Sequence, residues 1–103
     1  MNLTDYQLRV IRAWAAKNPI IVSVHLFGSR VKGTARPDSD LDVAIDVGLD
    51  EGALQTWIIQ KGDWERDLRA LTGLLVNVDL YHPTIAPHVY GYVAECGLEA
   101  YRQ

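Results

Sequence analysis

At 103 residues and 49% hydrophobic composition, the chain has the size and apolarity for one domain, residues 1–103, with a buried core. A net charge of −3 disfavours direct nucleic-acid binding, although a nucleotide substrate remains compatible because metal ions can supply local positive charge. The single cysteine, Cys96, excludes an intramolecular disulfide and reads as a small buried residue. No apolar run reaches membrane-spanning length, and Asp5 and Arg9 interrupt any leader-like stretch, so a cytoplasmic chain is expected.

In chain order, Thr4 and Gln7 form a capping-box pattern, and Leu8, Ile11 and Ala15 recur at helical spacing. This predicts a helix from about Asp5 to Lys17, stopped at Asn18-Pro19. Residues 20–27 are rich in β-branched and apolar side chains and read as a strand buried on both faces. Residues 28–39 read as a turn, a short helical piece and a loop. From Leu41 to Val47 apolar residues alternate with Asp42, Ala44 and Asp46, the period of a strand. A helix follows from Ala53 to Leu71, with Gly62 a possible break and Gly73 a stop. A strand is predicted over 74–81, a helix over 87–95 and a short strand over 98–101. The result is an α/β (α+β) domain on a small mixed sheet, with helices packed on one face.

The chemistry concentrates in residues 28–42. Asp40 and Asp42 are two apart and project from one face. Two adjacent carboxylates repel unless a cation lies between them, and hard oxygen ligands suit Mg²⁺. Asp79 occupies the polar face of the 74–81 strand. If the two strands are neighbours, it completes a three-carboxylate site able to hold two metals about 4 Å apart. Gly28 allows close backbone approach to a phosphate, and Ser29 offers a hydroxyl and an N–H. Arg30, Lys32 and Arg36 can each pair with phosphate oxygens, Arg30 being nearest the turn.

Gly28-Ser29, ten residues, then Asp40-Leu41-Asp42 resembles the signature of the DNA polymerase β-like nucleotidyltransferases. It is most similar to the minimal members that serve as MNT antitoxins in HEPN/MNT toxin–antitoxin pairs. The resemblance implies a metal-dependent transfer of a nucleoside monophosphate, AMP from ATP, to a hydroxyl. Asp40, Asp42 and Asp79 would be catalytic and bind Mg²⁺ or Mn²⁺, and Gly28, Ser29 and Arg30 would hold the nucleotide. The implied acceptor is a tyrosine of a HEPN-family toxin, in a homo- or hetero-oligomer. The alternative is a subunit of the same fold that neutralises or scaffolds a partner by contact alone, for which Trp57 and Trp64, seven apart on one helix, would serve if exposed. A third option, an enzyme of the aminoglycoside-modifying type, would need a further helical domain. A template-directed polymerase is not expected, because no DNA-binding helix–hairpin–helix is recognisable.

Several other residues are assigned structural roles. His25 reads as a hydrogen-bonded core or sheet-face histidine. His82 and His88 lack metal spacing. Asp46 is read as solvated and Asp38 as a turn residue. Tyr90, Tyr92 and Tyr101 are read as packing residues, with base stacking the alternative.

Overall fold

The computed structural model describes all 103 residues. Four helices and four strands follow one another as α1 (Asp5–Ala16), β1 (Ser23–Phe27), α2 (Ser29–Lys32), β2 (Leu41–Asp46), α3 (Ala53–Thr72), β3 (Val76–Leu80), α4 (Pro87–Cys96) and β4 (Leu98–Arg102). The sheet order is β3-β2-β1-β4. β1 is antiparallel to both β2 and β4, whereas β2 and β3 run parallel. The mixed sheet is therefore the expected one, with α3 forming the crossover that a parallel pair requires.

The capping box forms as read: Gln7 N–H donates to Thr4 Oγ1 at 3.0 Å, and Thr4 N–H donates to Gln7 Oε1 at 2.9 Å. Leu8, Ile11, Trp14 and Ala15 then face the sheet. β1 starts later than its composition suggests. Ile21 N–H bonds back to Asn18 O at 3.0 Å, closing a turn through Pro19 and Ile20, and the ladder opens only at Ser23. All five residues of β1 are buried, as befits a strand flanked on both sides. Gly62 does not break α3, which runs on to Gly73, whose φ of +73° ends it.

The main core lies between the sheet and the pair α1/α3. Val24, Leu26, Leu41, Val43, Ile45, Val76 and Val78 meet Ile11, Trp14, Trp64 and Leu68 there. Trp14 and Trp64 meet edge to face, with centroids 6.3 Å apart. Trp64 is thus core. Trp57 is half-buried, and its Nε1 donates to Val78 O at 3.2 Å, so the two tryptophans do not form an exposed stripe. Helix α4 lies at the opposite face, where Val93 joins Phe27 and Ala44 in a smaller cluster.

The outer edge of β3 is closed by α3. Trp57 and Lys61 donate to Val78 O, each at 3.2 Å; Glu65 Oε2 accepts from Val78 N–H at 2.9 Å; Arg69 donates to Val76 O at 2.9 Å. These four residues recur every fourth position, so one helix stripe satisfies three of the strand's outward polar groups, Val76 O, Val78 O and Val78 N–H.

Candidate active site

The parallel register sets Asp42 opposite Asn77 and Ala44 opposite Asp79. Strand alternation turns these four residues to the face away from α1 and α3. Small Ala44 leaves Asp42 and Asp79 as diagonal neighbours. Asp40 stands just before β2, and its Oδ2 accepts from Asn77 Nδ2 at 2.6 Å. The three carboxylates predicted from sequence are therefore brought to one sheet face.

Their electrostatics fit a cation site. Burial holds the Asp42 carboxyl above its usual range, repulsion from Asp79 and Asp40 adds to this, and a hydrogen bond from Asn77 opposes it. Burial likewise raises Asp79; Lys61 pulls it back and Glu65 pushes it further up. No three His, Cys, Asp or Glu side chains converge on a single point, so the carboxylates line the face without closing on one position. The donors are all hard oxygens under mutual repulsion, which suits Mg²⁺ or Mn²⁺.

The Gly28 turn adjoins this face. Gly28 has φ +81°, and a Cβ built there would lie 2.2 Å from Asp42 Oδ2. The main chain of the predicted phosphate cradle thus lies directly against a predicted metal carboxylate, an approach that only glycine permits. Gly28→Ala is expected to destabilise the fold by about 1–3 kcal/mol, because φ +81° with ψ −160° is open essentially only to glycine, and to displace the Asp42 carboxylate. Any activity of the site should fall much further than stability does, which denaturation and activity assays on one preparation would resolve. α2 is a single turn, so its macrodipole is small. What it offers an anion is oriented backbone N–H groups at Ser29 and after.

Arg30 departs from the expected role. Its side chain is buried, 7% exposed, and turned toward the backbone of the 37–39 loop. Nε and one terminal nitrogen donate to Ser39 O at 3.1 and 2.9 Å, and further bonds of 3.2 Å reach Pro37 O and Asn2 O. The carbonyls of a loop with no secondary structure need donors, and the guanidinium fork satisfies two of them together with that of Asn2 in the N-terminal segment. Lys32, by contrast, lines a cavity of about 230 Å³ together with Phe27, Gly28, Asp42, Tyr92, Glu95 and Cys96. Cys96 is accordingly half-buried on a cavity wall and not in the core.

The remaining polar residues take structural positions. His25 shares a 2.8 Å hydrogen bond with Ser23 Oγ, and its ring stacks on Tyr81, which stacks on Tyr90. His82 Nδ1 accepts from the N–H groups of Thr84 and Ile85, both at 3.1 Å. Asp46 accepts from Ser23 Oγ at 3.3 Å and from Gly48 N–H at 2.8 Å, so it organises the strand end instead of standing free in solvent. Asn77 is the residue that sequence reading passed over. Its signal is its register, directly across from Asp42 on a strand already known to carry Asp79.

Burial lowers the His25 pKa, Arg102 adding to this while Glu99 and Asp46 oppose it. The unfolded chain therefore takes up a proton that the folded chain refuses. This group's contribution is complete above about pH 6.5 and is lost as the pH falls below it. In urea titrations, the stability advantage of wild type over His25→Phe should shrink between pH 7.5 and pH 5. An advantage that stays constant would contradict the neutral, buried histidine.

No curated protein matches the chain. Among solved structures, a toxin–antitoxin complex with AMP-PNP superposes with a TM-score of 0.70 at 19% identity, covering 94% of this chain and 73% of that one. A mutant MntA–HpeT toxin–antitoxin complex gives a TM-score of 0.70 at 17% identity, with the same coverages of 94% and 73%. At these identities the likeness is one of fold. A family model described as a nucleotidyltransferase domain matches residues 8–87. That span runs from the first core residue of α1 through the Gly28 turn and the β2 aspartates to Asp79 and the start of α4. The chain belongs to the nucleotidyltransferase domain family.

Proposed function

We propose that the chain is a divalent-metal-dependent nucleotidyltransferase that moves AMP from ATP to a hydroxyl of a partner protein, a HEPN-type toxin, and thereby acts as its antitoxin. The observation that carries this reading is the contact of the Gly28 main chain with Asp42, beside Asp79 in the next strand. It joins a phosphate cradle to a carboxylate clamp. The solved neighbours are toxin–antitoxin complexes, one with AMP-PNP. The other carries two Asp-to-Glu substitutions two positions apart, the spacing of Asp40 and Asp42.

Asp40, Asp42 and Asp79 would hold Mg²⁺ or Mn²⁺, which when bound neutralises phosphate charge and favours ionisation of the attacking hydroxyl. The Gly28–Ser29 main chain, the Ser29 hydroxyl and Lys32 would bind the β- and γ-phosphates. Asp79, its carboxyl held above the usual range, is the group assigned to receive the acceptor's proton. The acceptor oxygen forms a bond to the α-phosphorus, and pyrophosphate leaves. Positioning and charge neutralisation supply most of the acceleration. The test is incubation with Mg²⁺, α-labelled ATP and a HEPN partner. Label should appear on the partner with wild type and be absent with Asp42→Asn.

Neutralisation by contact alone is the second reading, and a different surface now favours it. Ile58 and Ile59 are 59% and 73% exposed on α3. Gly62, one turn on, meets nothing within 4 Å of a built Cβ. Two exposed isoleucines beside an uncovered glycine support this patch, in place of the tryptophans, as the partner-facing one. If Ile58→Asp abolishes toxin neutralisation while Asp42→Asn leaves it intact, contact is the mechanism.

A further inference from the structure

The geometry points to Asn77 as a positioning residue that aims the Asp40 carboxylate into the metal site. This inference rests on the nucleotidyltransferase reading above and assigns a role to a residue outside the carboxylate set. Asp40 precedes the first ladder residue of β2, so strand pairing does not fix its direction. The main chain is held on either side of it, by Arg30 at Ser39 O (2.9 Å) and by the bond from Leu41 N–H to Leu75 O (2.8 Å), but neither bond sets the direction of the Asp40 side chain. Left alone, an aspartate at that point would swing toward solvent and away from Asp42, because like charges repel.

Asn77 prevents this. Its amide donates to Asp40 Oδ2 at 2.6 Å from a strand position in register with Asp42. The assignment of nitrogen rather than oxygen toward Asp40 follows from the partner, since an ionised carboxylate only accepts. The contact is short and charge-assisted, which places it among the stronger hydrogen bonds.

The choice of side chain is chemically specific. A lysine here would carry its own positive charge and compete with the metal. An aspartate would add a fourth negative group and have no proton to donate at neutral pH. Asparagine donates without changing the charge of the site, holding Oδ2 while Oδ1 stays open to a cation. Residues that hold metal ligands from behind typically change metal affinity 10- to 100-fold when removed.

The experiment uses the full chain with Asn77→Ala and Asn77→Gln. Mn²⁺ binding is followed by calorimetry without nucleotide. The Mg²⁺ dependence of transfer is followed at saturating ATP, with thermal melts alongside. In Asn77→Ala, the Mn²⁺ Kd and the Mg²⁺ concentration for half-maximal rate should both rise about 10- to 100-fold. kcat at saturating metal should change far less, and Asn77→Gln should recover part of the affinity. If Asn77→Ala binds Mn²⁺ as wild type does, or loses kcat and melting temperature with an unchanged metal dependence, the inference is overturned while the parent reading stands. A wild-type chain that takes up no Mn²⁺ and transfers nothing overturns both.

Discussion

Asp42→Asn is expected to lower nucleotidyl transfer on the order of 10³-fold, the scale seen when one preorganised charge-stabilising group is removed, and at the same time to raise the melting temperature of the metal-free chain. The two effects have one cause. Asp42 is half-buried beside Asp79 and Asp40, and its carboxyl is held above the usual range. A carboxyl raised in the folded state disfavours folding at neutral pH. That penalty is relieved as the pH falls through the raised value toward about 3.9, where the unfolded chain also protonates. Asparagine keeps the shape and removes the charge at every pH. Saturating Mg²⁺ should reverse the order, because it stabilises wild type and finds fewer ligands in the variant. Melts at pH 7 with and without Mg²⁺ check this directly. A variant that melts below wild type without metal would show that the carboxylates are not in conflict.

The second large effect is expected at Arg30. Removing it leaves the carbonyls of Asn2, Pro37 and Ser39 without their donor in a partly buried loop. Arg30→Ala should destabilise the fold by about 2–4 kcal/mol. Arg30→Lys should recover little, since one ammonium cannot reach three carbonyls in the plane of a guanidinium. If the side chain bound phosphate instead, Arg30→Ala would raise the KM for ATP and leave stability alone. Lys32→Ala supplies the contrast, with a higher KM for nucleotide expected at nearly unchanged stability. Denaturation midpoints and steady-state kinetics on the two variants separate these roles.

The sheet was legible because its signals are local. Alternation from Leu41 to Val47 and from Val76 to Tyr81 assigns faces without any long-range information. That is why Asp42 and Asp79 could each be assigned to the polar face of its strand, their meeting depending on whether the two strands pair. The start of β1 was not legible: residues 20–22 are apolar enough for a strand, but a bond from Ile21 back to Asn18 turns the chain at Pro19 and Ile20, and sheet bonds begin only at Val22, to Asp46 O. The direction of the Arg30 side chain was not legible for a related reason. Sequence shows a cation near a phosphate-binding turn, whereas its direction depends on carbonyls up to twenty-eight positions away. Gly62 reads as a break by propensity, yet Trp64 and Leu68, buried beyond it, hold α3 continuous. Asn77 has no sequence signature of its own. Its meaning appears only once β3 is aligned on β2.

That alignment is fixed from outside the sheet. The bonds from Arg69 to Val76 O and from Val78 N–H to Glu65 tie β3 to two successive turns of α3. A slip of β3 by one residue would break both. It would also turn Asn77 and Asp79 into the apolar core and bring Val78 to the carboxylate face, because side chains alternate with period two. The helix that closes the strand's edge therefore acts as a ruler for the chemistry on the far side of the sheet. A mutation at Arg69, across the sheet from the carboxylate face, would be read out as misregistered carboxylates.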